Sequence, residues 1–240
     1  MVLGLLGKNI SYSFSKNYFN EKFDLLGLKD YSYKIFDITS KNDISEIFNM
    51  PDLLGFNVTI PFKKDIIDFL DELSPEAEKI GAVNTVKIDG TKRIGYNTDA
   101  IGFKNSLVPL LKPHHQSALI LGNGGAFRAV AYILQQLSIP YMVISRNGMN
   151  TYSSLNQEII SSHNLIINTT PVGTFPNIND CPPIPVHFFK PQHLIYDLIY
   201  NPEETKLLKL GKKAGSQTKN GLEMLHLQAD FAWNIWYENQ

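Results

Sequence analysis

The sequence has a single cysteine, Cys181, and no excess of charge of either sign. One cysteine excludes an intrachain disulfide and a zinc site built from several thiolates, and it suits a reducing cytoplasm. The 22 basic and 23 acidic residues leave a formal net charge of −1, which gives no overall attraction to nucleic acid or to an anionic membrane. We therefore expect neither a nucleic-acid nor a membrane partner.

Long hydrophobic runs are also missing. The apolar start, Met1–Gly7, is short and lacks the basic leader and cleavage site of a signal peptide. No run approaches the roughly 18 apolar residues that span a bilayer. The chain instead has an ordinary globular composition, with 43% hydrophobic and 19% charged residues in a length of 240. This favours one large or two modest domains and a cytoplasmic location.

Short β-rich runs alternate with longer helical stretches, which predicts an α/β fold with parallel strands. A polar break at 113–116 separates two such series. Asp89-Gly90 predicts a hairpin turn, and Pro61 predicts the first turn of a helix. The predicted strands are 2–6, 31–38, 55–58, 83–88, 92–96, 118–121, 141–145, 165–168 and 193–197, and the predicted helices lie near 15–26, 43–48, 98–110 and 222–237.

A glycine turn between a buried strand and a helix is the main candidate for a dinucleotide site. Gly122 permits a tight turn, and Gly124 and Gly125 remove side chains that would keep a pyrophosphate from the helix N-terminus. Phe127 occupies a position where a small residue is usual. The helix must therefore lie further from the strand, or the ring must turn outward. A purely structural strand–helix turn is the alternative.

The charges beyond this turn favour NADP over NAD. A fold specific for NAD normally places an acid about 20 residues further on, to bind the ribose 2′-hydroxyl. No Asp or Glu occurs between Asp99 and Glu158, and the next strand ends in Ser145-Arg146-Asn147. The guanidinium complements a 2′-phosphate, with hydroxyl and amide donors beside it. Alternatively, Arg146 is a solvated loop charge.

Polar residues cluster in the first part of the chain as well. Ser13 and Ser15 follow the first strand at the start of a helix, where hydroxyls and free N–H groups can hold a carboxylate. Ser15 could instead cap the helix. The stretch Asn57-Val-Thr-Ile-Pro-Phe-Lys63 places polar side chains at a strand end, where α/β sheets bind ligands. Asn84-Thr85 and Asn97-Thr98-Asp99 add amides, hydroxyls and a carboxylate.

Seven motifs in order make the chain resemble the shikimate dehydrogenase family, from Gly7 to Gln228. The motifs are Ser13-Phe-Ser15, Asn57–Lys63, Gly81-Ala-Val-Asn-Thr85 with Asn97-Thr-Asp99, Gly122-Asn-Gly-Gly-Ala126 with Ser145-Arg-Asn147, Asn168-Thr-Thr-Pro-Val-Gly173, Asp197-Leu-Ile-Tyr-Asn-Pro202 and Asn220–Gln228. The resemblance implies a substrate-binding and catalytic domain, 1–98 with 222–240, and a Rossmann-like NADP-binding domain, 99–221. It also implies that the last helix packs back toward the first domain.

The resemblance further implies site residues. The catalytic positions are Lys63 and Asp99. The substrate positions are Ser13, Ser15, Thr59, Asn84, Asp99, Tyr200 and Gln228. The cofactor positions are Gly122, Asn123, Gly124, Gly125, Ala126, Ser145, Arg146, Asn147, Thr169, Leu198 and Gly221.

The family reaction is the reversible reduction of 3-dehydroshikimate by NADPH, in the shikimate pathway that leads to chorismate and the aromatic amino acids. Lys63 would give a proton to the nascent alkoxide and Asp99 would orient it, so no metal is expected. Two alternatives stay open: a quinate/shikimate dehydrogenase of dual specificity, and a non-catalytic nucleotide-sensing relative. A small-molecule substrate is the only expected partner, in a monomer or homodimer.

Overall fold

The computed structural model describes residues 1–10 and 13–237, which form two compact units. The first unit comprises Met1–Thr98 together with the chain from Ala229 onward, and the second comprises Asp99–Gln228. Positions 238–240 of the predicted 222–240 segment lie outside the described residues. The assignment of substrate and cofactor to the two units stays a prediction.

The first unit contains a six-stranded sheet with the order β2-β1-β3-β5-β6-β4. Its strands are β1 (Val2–Gly7), β2 (Ser32–Asp37), β3 (Gly55–Val58), β4 (Glu72–Leu73), β5 (Thr85–Asp89) and β6 (Lys92–Tyr96). β1 pairs in parallel with β2 and β3, whereas β5 is antiparallel to both β3 and β6. This sheet is therefore mixed: β1, β2 and β3 are parallel, as expected, and the antiparallel β5–β6 pair is the hairpin predicted from Asp89-Gly90. The expectation of parallel strands is wrong only for β5 against β3.

Helices flank this sheet and have clear end signals. They are α1 (Phe14–Leu26), α2 (Ile44–Ile47) and α3 (Pro75–Ile80). α1 ends at Gly27, which has a φ of 69° that favours glycine. Before α3, the Ser74 hydroxyl accepts a hydrogen bond from the Ala77 N–H at 3.2 Å.

The prediction that Pro61 opens a helix is wrong. The Ile60–Pro61 peptide bond is cis, and residues 60–64 form turns. The Phe62 N–H closes the first turn by bonding to the Thr59 carbonyl at 3.0 Å, and a 3-10 helix begins only at Asp65. The polar end of β3 is therefore followed by a tight turn rather than by a helix.

The second unit contains a five-stranded parallel sheet with the order β11-β10-β9-β7-β8. Its strands are β7 (Ala118–Leu121), β8 (Tyr141–Ile144), β9 (Leu165–Asn168), β10 (Leu194–Asp197) and β11 (Gln217–Lys219). Numbered from β7, the order is 2-1-3-4-5, a doubly wound arrangement. β8 and β9 lie on opposite sides of β7, so the direction in which strands are added to the sheet reverses there. Sheets of this kind bind ligands at such a switch point, which here lies at the carboxyl ends of β7 and β9.

The helices of the second unit are α4 (Thr98–Leu107), α5 (Gly125–Gln136), α6 (Gln157–Ser162), α7 (Lys206–Lys213) and α8 (Leu222–Tyr237). α4 begins in the first unit, and α8 ends there. Within the described residues, no helix is long and apolar enough to cross a membrane. The predicted α/β class is confirmed by this architecture.

The last helix completes the core of the first unit, as predicted. Trp233 and Trp236 are buried with Phe19 and Tyr33. The Trp236 indole N–H donates to the Val86 carbonyl at 2.9 Å, so its polar atom is satisfied inside the core.

Candidate functional site

A buried hydrogen-bond network occupies the ends of β3 and β5 in the first unit. The Asn57 side chain accepts from the Tyr33 hydroxyl at 2.8 Å and donates to the Thr85 hydroxyl at 3.1 Å. Asn84 donates to the Thr98 hydroxyl at 3.0 Å and accepts from the Thr98 N–H at 2.6 Å. The predicted residue Asn84 thus holds the start of α4 against β5.

Lys63 and Thr59 lie on the turn that follows β3. The Thr59 N–H bonds to the Leu6 carbonyl at 2.8 Å, and the Val83 N–H bonds to the Lys63 carbonyl at 2.8 Å. Both side chains are half-buried. Backbone hydrogen bonds therefore hold Lys63 next to the segment that carries Asn84. Two predicted site residues thus lie on neighbouring segments of the first unit.

Ser13 and Ser15 differ in what their hydroxyls do. Ser13 occupies the N-cap position of α1, yet its side chain makes no capping hydrogen bond. Ser15 lies inside the helix, so the alternative that it caps the helix is wrong. Its hydroxyl bonds to Tyr33, an interaction that partly opposes the effect of burial, and burial raises the pKa of Tyr33 well above its ordinary value.

The glycine turn of the second unit joins β7 to α5. Gly122 has a φ of 98°, and its N–H bonds to the Ile144 carbonyl at 2.8 Å. Side chains built on Gly124 or Gly125 would meet no atom within 4 Å, so open space lies before the N-terminus of α5. Gly124 is the N-cap and provides no side-chain acceptor for the N–H groups there. Asn123 and Gly124 are exposed, and Ala126 is half-buried.

Phe127 on α5 contacts the first residue of β8. The ring is half-buried and meets Tyr141 edge-on, with centroids 6.5 Å apart. Tyr141 begins β8, an edge strand, so the ring packs at the side of the sheet.

Thr169 lies on the other side of the switch point, directly after β9. Its hydroxyl donates to the Leu121 carbonyl at 2.8 Å, and a side chain on Gly122 would lie 3.1 Å from that hydroxyl. The predicted cofactor residues on the turns after β7 and β9 are therefore in contact.

Arg146 is exposed in the loop after β8, beside the glycine turn in the sheet order. Ser145 is buried, and its N–H bonds to the Asn150 carbonyl at 3.1 Å, whereas Asn147 is exposed. Among residues 1–10 and 13–237, no carboxylate forms an ion pair with Arg146. An exposed guanidinium without an acidic partner is ready to bind an anion.

Leu198 and Tyr200 follow β10 in a closely packed loop. The Leu198 N–H bonds to the Asn168 carbonyl at 3.0 Å, and the Gly221 N–H bonds to the Ile199 carbonyl at 3.0 Å. A side chain on Gly221 would lie 1.9 Å from the Leu198 carbonyl oxygen, so only glycine fits there. Tyr200 is partly exposed, and burial of its ring raises the pKa of its phenol.

Asp99 and Gln228 are buried on helices of the second unit. Asp99 lies in the first turn of α4, and the Gln228 amide donates to the Leu225 carbonyl at 2.9 Å in α8. Gly102 allows these helices to approach, because a side chain there would meet Gln228 at 3.1 Å. The roles predicted for both residues stay predictions.

Three buried polar residues are not among the predicted site residues. Asp197, Asn168 and Thr205 form a fully or almost fully buried cluster behind the Leu198 loop. Burial raises the pKa of Asp197 to about 6, and hydrogen bonds from Thr205, Ile199 and Asn168 limit that rise. The polar ends of two apolar strands, at 168 and 197, were the available signal, since parallel strands place such ends side by side.

The second unit fits NADP on its own geometry. Open space lies before a helix N-terminus, where phosphate oxygens can meet backbone N–H groups. Arg146 is an exposed cation that could hold a 2′-phosphate, and the sequence has no acid between residues 99 and 158. The described residues contain no group of three or more His, Cys, Asp or Glu that could hold a metal ion.

Comparisons with known proteins extend over the whole chain. The family model of the shikimate dehydrogenase substrate binding domain matches residues 5–86. A shikimate dehydrogenase (NADP(+)) from Methanococcus vannielii is 37% identical over 262 aligned residues, which cover 98% of this chain and 91% of that protein.

Solved structures agree with this result. A shikimate dehydrogenase from Aquifex aeolicus has a TM-score of 0.89 at 34% identity, with 99% of this chain and 92% of that chain covered. A shikimate 5-dehydrogenase from Thermus thermophilus, in complex with NADP(H) and shikimate, has a TM-score of 0.86 at 30% identity, covering 99% and 94% of the two chains.

The Rossmann-type parallel sheet and these relatives together define the class of the protein, an NADP-dependent oxidoreductase. The comparisons name the group within that class. This chain belongs to the shikimate dehydrogenase family. The resemblance predicted from the seven motifs is thereby confirmed.

Proposed function

We propose that this chain catalyses the reversible, NADPH-dependent reduction of 3-dehydroshikimate to shikimate in the shikimate pathway. One observation carries the proposal beyond family membership: Lys63 is fixed by backbone hydrogen bonds in the same frame as Asn84 and Thr59. Lys63 thus shares a strand end with residues that carry amide and hydroxyl groups, which supports binding of a polyhydroxylated substrate.

Cofactor binding is assigned to the second unit. Gly122, Gly124 and Gly125 leave room for the pyrophosphate, and the backbone N–H groups of Asn123 and Ala126 belong to the same turn. Arg146, with Ser145 and Asn147 beside it, binds the 2′-phosphate. Thr169, Leu198 and Gly221 follow β9, β10 and β11 respectively, and they contact the nicotinamide end. When bound, NADPH supplies a hydride.

Substrate binding uses groups that do not take part in proton transfer. The hydroxyls of Ser13, Ser15 and Tyr200 bind the carboxylate. Thr59, Asn84 and Gln228 bind the ring hydroxyls. The uncapped Ser13 hydroxyl supports the first assignment, because no helix N–H competes for it.

Lys63 performs the proton chemistry. Reduction places negative charge on the C3 oxygen of the substrate, and the Lys63 ammonium donates a hydrogen bond and then a proton to that oxygen. In the oxidative direction the neutral amine takes the proton back. Asp99 orients the lysine and a neighbouring substrate hydroxyl.

The test is loss of NADPH absorbance with 3-dehydroshikimate as substrate. Wild-type protein should oxidise NADPH, and NADH should serve poorly. Parallel reactions with quinate and NAD test the dual-specificity alternative. Binding of NADPH without any turnover would favour a nucleotide-sensing relative and contradict the proposal.

The cellular setting is also part of the proposal. We place the protein in the cytoplasm as a monomer or homodimer, without a nucleic-acid or membrane partner. A net charge of −1 supports the lack of attraction to polyanions. Light scattering of the purified protein gives the oligomeric state, and cell fractionation gives the location.

A further inference from the structure

Asp197 is a fully buried carboxylate at the carboxyl end of β10. Its Oδ1 accepts from the Asn168 amide at 2.9 Å and from the Ile199 N–H at 3.1 Å, and its Oδ2 accepts from the Thr205 hydroxyl at 2.7 Å. In the part of the chain that the structure describes, no cation forms an ion pair with it. Burying such a group is costly, and three aligned donors offset that cost.

Asn168 extends this arrangement to the neighbouring strand. Its Oδ1 accepts from the Thr170 N–H at 3.0 Å and from the Thr170 hydroxyl at 2.7 Å. Its carbonyl accepts from the Leu198 N–H at 3.0 Å. Together the two side chains join the loop after β9 to the loop after β10, and we refer to them as the Asp197–Asn168 bridge.

The chemistry of the bridge requires these residue types. A carboxylate accepts hydrogen bonds at both oxygens, which is what the donors of Asn168, Ile199 and Thr205 need. Asn168 must donate at one end and accept at the other, as a primary amide does. Apolar side chains of similar size would leave the Ile199 and Thr170 N–H groups without these acceptors.

The joined loops carry residues assigned to the nicotinamide end. Thr169 is held to the Leu121 carbonyl beside the glycine turn, and Leu198 packs against the backbone of Gly221. Hydrogen bonds at both ends of the bridge therefore restrict the distance between the two loops. The phosphate-binding groups, at Gly124 and Arg146, belong to other loops.

We propose that Asp197 and Asn168 are positioning residues, which keep Thr169 and Leu198 at the spacing required for hydride transfer. This inference rests on the proposed function. Because the side chains of the bridge make no hydrogen bond to Gly124 or Arg146, their loss lowers turnover more than it lowers ligand affinity.

The test compares variants of two buried residues, Asp197 and His193, which lie at opposite ends of β10. His193 precedes β10, bonds to the Lys190 N–H at 2.8 Å and to the Ile160 carbonyl at 3.0 Å, and has no assigned role in the site. Asp197→Asn, which turns an acceptor into a donor, should lower kcat by about tenfold or more, with NADPH Kd and substrate KM within about threefold. His193→Leu should lower the melting temperature while kcat stays within about twofold.

A second pair of variants keeps the carboxylate. Thr205→Val removes one hydrogen bond to Oδ2 and should lower kcat by about threefold or more, whereas Thr205→Ser keeps the hydroxyl and should restore kcat. A Thr205→Val protein with wild-type kcat would overturn the proposal. So would an Asp197→Asn protein that is folded and retains more than about half of the wild-type kcat.

Hydrogen exchange separates this inference from the proposed function. If wild-type protein shows no turnover, the proposed function fails, and amide exchange in peptides covering 168–173 and 198–202 still tests the bridge. Faster exchange of both peptides in Asp197→Asn, with His193→Leu unchanged there, supports the bridge. Unchanged exchange in Asp197→Asn rejects it.

Discussion

The Val83 N–H donates a hydrogen bond to the Lys63 carbonyl at 2.8 Å. This bond joins the turn after β3 to the residue that precedes Asn84. The ammonium group of Lys63 therefore extends from an immobilised backbone, and its removal should change the chemistry without disturbing the fold.

We expect Lys63→Ala to lower turnover by at least about 10³-fold, because general acid catalysis and charge stabilisation are lost together. Shikimate and NADPH should still bind within about tenfold of the wild-type affinity in calorimetry. The matched control is Lys64→Ala, an exposed neighbour that should keep full activity. Asp99→Asn should lower turnover less than Lys63→Ala does. A Lys63→Ala enzyme that keeps more than a tenth of wild-type turnover would contradict the catalytic assignment of Lys63.

Arg146→Ala should weaken NADPH binding by about 1–3 kcal/mol and leave NADH binding nearly unchanged, since only NADPH has the 2′-phosphate. Fluorescence titration with both cofactors measures the difference. Lys209→Ala, which removes an exposed charge on α7, is the control. Equal losses for NADPH and NADH in Arg146→Ala would show that the arginine does not read the 2′-phosphate.

Ser13→Ala should raise the KM for 3-dehydroshikimate while kcat and the melting temperature stay constant, because the Ser13 hydroxyl makes no helix-capping bond. Ser74→Ala gives the opposite pattern. Ser74 caps α3, so its loss should cost about 1 kcal/mol of stability without a change in KM. A lower kcat with unchanged KM in Ser13→Ala would argue against a carboxylate-binding role.

Two glycines of the second unit should respond differently to alanine. Gly221→Ala places a side chain 1.9 Å from the Leu198 carbonyl, so stability should fall by about 1–3 kcal/mol. Gly124→Ala meets no protein atom within 4 Å, so the melting temperature should hold while NADPH binding weakens. Thermal melts with and without NADPH give both results, and an unstable Gly124→Ala protein would contradict the open space described before α5.

Acid should destabilise the second unit through His193. Burial lowers the pKa of His193 below its ordinary value of 6.5, so the unfolded chain takes up a proton that the folded chain refuses. The free energy of unfolding therefore falls as pH drops below about 6.5. Asp197 acts oppositely, because burial raises its pKa from 3.8 to about 6 and folding then favours proton uptake over that range.

Urea unfolding at pH about 7.5 and about 5.5 tests the histidine contribution. The stability of His193→Leu should depend less on pH than that of wild type between those values. An equal dependence in both proteins would assign the acid sensitivity to other groups, among them His115, whose pKa burial also lowers.

The sequence predicted elements whose signals are local. The Asp89-Gly90 hairpin, the four-residue strands of the second sheet and the glycine turn each depend on neighbouring residues, and each is present. β4 and β11, of two and three residues, are too short to show a period. The helix predicted to begin at Pro61 is absent, because the Thr59–Phe62 turn takes its place.

The Asp197–Asn168 bridge could not be predicted from the spacing of these residues along the sequence. Its members are separated by 29 residues and become neighbours only through the parallel register in which Asp197 pairs with Asn168. The same holds for the Lys63–Val83 bond, which depends on a turn after β3. The contact between Phe127 and Tyr141 is a third case, because it depends on the position of β8 at the edge of the second sheet.

The first unit takes its final aromatic side chains from beyond residue 229, after the whole of the second unit in the chain. During synthesis on the ribosome, Phe19 and Phe23 emerge long before Trp233 and Trp236, which later bury them. The second unit is continuous in sequence and can finish its core first. The core of the first unit, although most of its residues are translated earliest, is therefore complete only after the last helix has been made.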